Sequence, residues 1–261
     1  MTGSAMSGRG WQTLIGLSLA VAIVGGWVAL HVTGVFFWRW SPLGIALAPA
    51  AILLQGWLGA GLFIVAHDAM HGSLAPRRPR LNRAVGRLCL GLYAAFPFDA
   101  LNRAHHRHHA APGSADDPDF HPARPTAYAR WLHGFMRRYF GLREFACVTG
   151  VLVVYLAVLH VRPLNAGLFW GLPAILSALQ LFTFGTWLPH RHRPGEPGFA
   201  DRHNARTLGY PWLVSLLTCF HFGYHLEHHH SPQSPWWRLP AVRAAARVGA
   251  GSRPVKPVPA S

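Results

Sequence analysis

Apolar residues in this chain come in long runs, not in the alternating or short amphipathic patterns of a soluble domain. Four runs approach or exceed the ~20 apolar residues that cross a bilayer. The first, residues 11–38, holds one titratable side chain, His31. The second, 43–66, holds no charge, and the third, 145–160, is marginal in length. The fourth, 164–188, is interrupted by Pro173. Two weaker runs, 84–101 with Arg87 and 208–222 with Pro211, predict helices at the membrane interface or re-entering partway. The first run is too long for the apolar core of a signal peptide, only Arg9 precedes it, and no clean small-residue cleavage site follows. It is expected to be a retained span.

Composition agrees with membrane residence. Of 261 residues, 51% are hydrophobic and 13% charged, against roughly 25% charged in soluble domains. The net charge of +15 admits nucleic acid, an anionic membrane or cytoplasmic loops as its explanation. Four spans divide the basic residues sharply. Twenty-two of the 24 fall in the N-terminus, the 67–144 loop and the chain after residue 190, leaving Arg39 and Arg162 on the other side. The positive-inside rule assigns the crowded side to the cytoplasm. Arg77, Arg78, Arg80 and Arg83 form a cluster suited to lipid headgroups or an acidic electron carrier, with no groove-reading motif for nucleic acid. Cys89, Cys147 and Cys219 make no CxxC motif or disulfide framework, and Cys147 and Cys219, inside apolar runs, are expected as small buried apolar residues. The expected architecture is all-α and integral to the membrane. It has four transmembrane helices, interfacial helices and a cytoplasmic helical cap, in one domain over 1–247. Residues 248–261, rich in Gly, Pro, Ala and Ser, are expected to be a disordered tail.

The 18 histidines carry the chemistry, and 16 of them share the cytoplasmic side. His67 and His71 are spaced i, i+4 at the end of the second run, so they share a helical face. In His105-His106-Arg107-His108-His109, positions 105, 108 and 109 share a face and His106 points elsewhere. In His225-Leu226-Glu227-His228-His229-His230, positions 225, 228 and 229 share a face and His230 falls off it. His221, one turn earlier, is placed to join that face. One such pair is weak evidence for metal, but three boxes on one side of a membrane, in unrelated contexts, exclude a tag or low-complexity tract. Eight histidines exceed what one zinc takes, and the HExxH protease order is absent. Copper remains open from ligand type. A nitrogen-rich two-metal site in a helix bundle suits iron and dioxygen best, with too few acids for the carboxylate-rich di-iron bundles. Asp68, Asp117 and Glu227 are natural acceptors for the second ring nitrogens of ligand histidines. For Asp117 a plain turn, with Gly113 and Pro118, is an equal reading.

The three boxes resemble the membrane fatty-acid desaturase/hydroxylase superfamily. Within it, His67-Asp-Ala-Met-His-Gly72, Asp116-Asp-Pro-Asp-Phe120, Phe184-Gly-Thr-Trp-Leu-Pro-His-Arg191, Phe220 to His229 and Pro235-Trp-Trp-Arg-Leu-Pro240 resemble the bacterial-type β-carotene ketolase branch over residues 40–240. Leu226 departs from that branch, where a histidine is expected. The resemblance implies about nine imidazole ligands to two Fe2+ ions. His190 is the candidate ninth, with His192 its competitor. It also implies dioxygen as co-substrate and a keto group placed at the allylic position 4 of the β-ionone rings of β-carotene, zeaxanthin or similar carotenoids. Two successive hydroxylations there give a geminal diol that loses water. The implied location is the bacterial inner membrane, multi-pass, with the site facing the cytoplasm. No nucleotide, flavin or haem motif is present, so electrons are expected from an external donor such as ferredoxin and its reductase. A ring 3-hydroxylase, a fatty-acid desaturase or hydroxylase, and a metal storage or transport protein are the alternatives. A transporter would place its ligands near the bilayer midplane.

Overall fold

The computed structural model describes residues 8–251 except 124, 193–198 and 200, with side chains to residue 248. The described residues form helices and connecting turns, with one isolated antiparallel bridge between Thr207 and Tyr224.

The central element is α2 (Pro42–His71). Ser41 caps it by accepting from the Gly44 amide at 3.1 Å, and Pro42 begins the first turn where a missing N–H costs nothing. It runs without interruption to Gly72, whose left-handed φ of 69° ends it. At ~1.5 Å per residue the rod is about 45 Å long. Its second half is the most buried stretch of the chain, packed against α1 (Gly8–Phe37), α3 (Pro79–Ala94) and α7 (Pro163–His190).

Helix α1 runs antiparallel to α2. Its start meets the far end of α2, where Gln12 Nε2 donates to Ser73 O at 2.7 Å. At the other end Trp40 Nε1 donates to Asn165 Oδ1 at 2.8 Å, tying the α1–α2 turn to the start of α7. Helix α7 passes through Pro173 and Pro189 without breaking. A widened π turn, Gly167–Gly171 or Phe182–Trp187, lies just before each proline. The extra room accommodates a ring that would otherwise strike the carbonyl four residues back. Pro173 therefore shapes the fourth run rather than interrupting it.

Two bends distinguish the structure from the sequence expectation. Helix α3 turns through 100° into α4 (Phe98–Ala110). Ala95 takes a left-handed φ of 57°, its amide reaching Gly91 O at 3.1 Å, and Pro97 bars any continuation. The bend is tight because Gly86 offers no Cβ: one placed there would stand 2.1 Å from Phe98 Cε2. Helix α5 (Tyr128–Tyr139) turns through 80° into α6 (Leu142–Val158). Among the described residues three helices, α1, α2 and α7, are long and apolar enough to cross a membrane, and the bent pairs raise the number to at most five. The outer faces of these helices display Val21, Leu53, Val153 and Ile175, an apolar collar that lipid would cover. Cys147, expected to be buried, is exposed in that collar on α6, because α6 touches the bundle along one edge only. The chain closes with α8 (Trp212–Cys219), α9 (His225–His230) and α10 (Leu239–Gly251). The last runs four residues past 247, and the remainder of the expected tail lies outside the described residues.

Candidate metal centre

Four helix segments converge at one end of the bundle. Helix α2 brings His67 and His71, α4 brings His105, His108 and His109, the last turn of α7 brings His190, and α9 brings His225, His228 and His229. The nine fall into two groups. In one, His67, His71, His105, His109 and His228 offer nitrogens all within 4.8 Å of one another; in the other, His108, His190, His225 and His229 do the same. Each i, i+4 pair stays within one group, while the i+3 member of an HxxHH box crosses to the other. His108 leaves its α4 partners for the second group, and His228 leaves its α9 partners for the first. Each HxxHH box thus ties the two groups together.

The ring nitrogens face each other. His71 Nε2 lies 2.7 Å from His105 Nε2, His109 Nε2 3.0 Å from His228 Nε2, and His225 Nε2 3.1 Å from His229 Nε2. His108 Nε2 stands 3.3 Å from His229 Nε2 across the second group. Burial pushes the His225, His228 and His229 rings well below the usual histidine pKa, so they are neutral with lone pairs available. His190 Nδ1 donates to Asn204 O at 2.7 Å, which fixes its tautomer and leaves its buried Nε2 without a partner. His67 has both nitrogens buried and unpartnered. Buried unsatisfied nitrogens are costly. A cluster of converging lone pairs fits metal cations, and imidazole suits iron, copper, zinc and nickel alike.

Asp117 supports this cluster directly. Both its oxygens lie 3.0 Å from His108 Nδ1, and they also accept the Gly113 and Asp119 amides at 2.7 and 2.8 Å. Burial works to lower the His108 pKa, but the Asp117 hydrogen bond and the nearby Asp119 and Asp117 charges outweigh it and raise the ring above the ordinary value. The other expected acceptors sit differently. Asp68 Oδ1 is 3.9 Å from His67 Nδ1, beyond a hydrogen bond, because neighbours on one helix diverge; its Oδ2 accepts the Trp236 amide at 3.2 Å. Glu227 takes the Thr207 hydroxyl instead of a ring nitrogen. His221 lies outside both groups: its left-handed φ of 63° turns the ring onto Trp212, Tyr224 and Trp236. His192 is outside both groups as well, its ring beside Phe199.

Two features had no clear signal in the sequence. Asp201, His203 and His230 form a small cluster near the surface beside the second group, with His230 Nε2 2.5 Å from Asp201 Oδ2. Asp119 and Tyr139, 20 residues apart in the chain, are joined by a Tyr139 hydroxyl-to-carboxylate hydrogen bond. Both line an apolar cavity of about 670 Å³. Its inner end is walled by His67, His105, His108 and His225, and its length follows α7 from Thr186 back to Pro163. The helical rise of ~1.5 Å per residue separates those two positions by about 34 Å.

Long apolar helices, a cluster of nine histidines compatible with metal at their ends and an apolar cavity reaching that cluster are the features of a membrane protein of the desaturase type. The chain belongs to the fatty acid desaturase family, whose profile matches residues 40–147 and 142–254. It is 48% identical over 232 residues to a β-carotene ketolase of Paracoccus sp. (strain N81106), covering 88% of this chain and 93% of that protein. It is 47% identical over 237 residues to the β-carotene ketolase of Paracoccus sp. (strain PC1), covering 89% and 93%. A zeaxanthin 4-ketolase of Chlamydomonas reinhardtii is 38% identical over 242 residues, 89% of this chain and 54% of the alga's longer protein. The likeness to bacterial ketolases within the desaturase superfamily, stated from the motifs, is borne out.

Proposed function

We propose that this chain is a membrane β-carotene ketolase, oxidising position 4 of β-ionone rings with dioxygen and externally supplied electrons. The observation that carries this reading is the junction of cavity and cage: one apolar cavity ends on His67 and His105 of the first group and on His108 and His225 of the second. In this reading His67, His71, His105, His109 and His228 hold one iron, and His108, His190, His225 and His229 hold the other. Iron bound there supplies an oxidant, generated from dioxygen, able to take hydrogen from an unactivated C–H bond.

The protein's own residues bind, orient and exclude water. Phe63, Phe135, Phe140, Trp170 and Phe222 give the cavity aromatic walls suited to a flat conjugated chain. Ile64 and Met70 on α2 pack beside the histidines and keep the ring's surroundings dry. Asp117 holds the His108 ring through Nδ1, so that its Nε2 faces inward.

The proposed topology has α1, α2, α6 and α7 as the four spans. The charge asymmetry of the loops supports a histidine end on the cytoplasmic side of a bacterial inner membrane. A lipid-soluble substrate then arrives from the bilayer, and electrons from a ferredoxin-type donor arrive from water. Expression in bacteria that accumulate β-carotene tests the reading. Echinenone and canthaxanthin are expected, and astaxanthin where zeaxanthin is the substrate. Hydroxylated rings without ketones would select a 3-hydroxylase, and unchanged β-carotene under aerobic, iron-replete conditions would overturn the reading.

A further inference from the structure

The cavity wall next to the histidines is mostly apolar, its polar members being Asp119, the Tyr139 hydroxyl bonded to it, and Thr186. Asp119 is the one carboxylate among the described residues that lines it, and it does so beside Phe135, Met136 and Phe140. Its surroundings hold it rigidly. The Asp119 amide donates to Asp117 Oδ1 at 2.8 Å, its carbonyl accepts the Trp131 indole N–H at 2.7 Å, and its Oδ1 accepts the Tyr139 hydroxyl. Oδ2 lies 4.0 Å from His108 Nδ1, too far for a hydrogen bond. The carboxylate of this cavity-lining residue thus has Oδ1 committed to Tyr139, while Oδ2 takes no hydrogen bond from the described residues and stands near His108, at the histidine end.

A bare carboxylate oxygen on an apolar wall is unfavourable unless a donor meets it. An unmodified β-ionone ring has no donor. A ring hydroxylated at position 3 has one, on the carbon bonded directly to position 4. A receptor for that hydroxyl must therefore lie at the histidine end of the cavity and not along its shaft, which is where Asp119 stands. The names of the relatives span both kinds of ring, β-carotene in Paracoccus and zeaxanthin in Chlamydomonas.

We propose that Asp119, positioned by Tyr139 and Trp131, is a subsite for the 3-hydroxyl of hydroxylated β-ionone rings and sets the balance between hydroxylated and unmodified substrates. This rests on the ketolase reading. A site built to hydrogen-bond a hydroxyl loses its discrimination when the acceptor is removed. In the purified full chain with iron, Asp119→Ala is expected to lower kcat/KM for zeaxanthin about tenfold more than for β-carotene. Asp119→Asn is expected to fall between, because it keeps an uncharged acceptor. An equal fall on both substrates would mean that Asp119 only supports its loop and His108, and would overturn the proposal. Carotenoid retention by the detergent-purified chain gives a readout independent of turnover. The wild type should retain zeaxanthin over β-carotene by a ratio that Asp119→Asn lowers severalfold, and an unchanged ratio would also overturn the proposal. Absence of ketones from the wild type on either substrate, with that ratio still dependent on Asp119, would sink the ketolase reading and leave the hydroxyl subsite standing.

Discussion

His108 Nδ1 sits 3.0 Å from both carboxylate oxygens of Asp117, nine residues further along the chain. Among the described residues this is the one hydrogen bond in which a carboxylate grips a histidine of the cage directly. It fixes the ring that α4 sends across to the second group. Removing such a partner typically weakens metal affinity ~10–100-fold. Asp117→Asn is expected to weaken iron retention by that order while the chain still folds, measured as iron per chain against increasing chelator. Undiminished retention would mean that the ring is held without Asp117.

His190 and His192 separate cleanly. The Nε2 of His190 is buried in the second group, whereas His192 lies outside both groups. His190→Ala should lose about half of the bound iron, and His192→Ala should keep all of it, by elemental analysis of the purified chains.

His228 belongs by sequence to α9 but by position to the first group. His228→Ala is therefore expected to abolish ketone formation and to deplete the group built mainly from α2 and α4, while His225 and His229 remain in theirs. Full activity in pigment assays would remove this residue from the site.

The sharp turn between α3 and α4 depends on the missing side chain at Gly86, where a Cβ would meet Phe98 at 2.1 Å. Overpacking of this kind typically costs ~1–3 kcal/mol. Gly86→Val is expected to lower the melting temperature of the purified chain and to disturb the metal content, since α4 carries His105, His108 and His109. An unchanged melting temperature would show that the bend relaxes freely.

Ala178 lines the cavity on α7, away from the histidines. A bulky side chain there obstructs the shaft without touching the cage. Ala178→Trp should reduce ketone formation more than tenfold at full iron content. Activity equal to the wild type would show that the substrate takes another route.

The periodic features were legible in the sequence and the turns were not. His67/His71, His105/His109 and His225/His229 could be read as pairs because i, i+4 spacing puts side chains on one face of any helix. Spacing within a box cannot tell that His108 and His228 each cross to the other group; that depends on how α4 and α9 approach each other. His190 entered through a resembling motif and not through spacing. The apolar runs gave α1, α2 and α7. The 100° and 80° bends come from a left-handed Ala95, a close approach at Gly86 and the break before Leu142, none of which alters hydropathy. Proximity in the chain misled for Asp68 and Glu227, whose backbones belong to the boxes but whose carboxylates reach the Trp236 amide and the Thr207 hydroxyl. Asp119 and Tyr139 meet only because α5 folds back over the cavity.

The histidines occupy one end of the cavity, and among the described residues no histidine lines the other. In the proposed binding mode a carotenoid with two identical rings offers only one to the cage at a time, while the other lies down the shaft. Oxidising both ends requires the half-finished molecule to leave, reverse end for end and bind again. Each departure is a chance for it to be lost to the bilayer, so the ratio of singly to doubly oxidised pigment is set by competition for the cavity as much as by the speed of the chemistry.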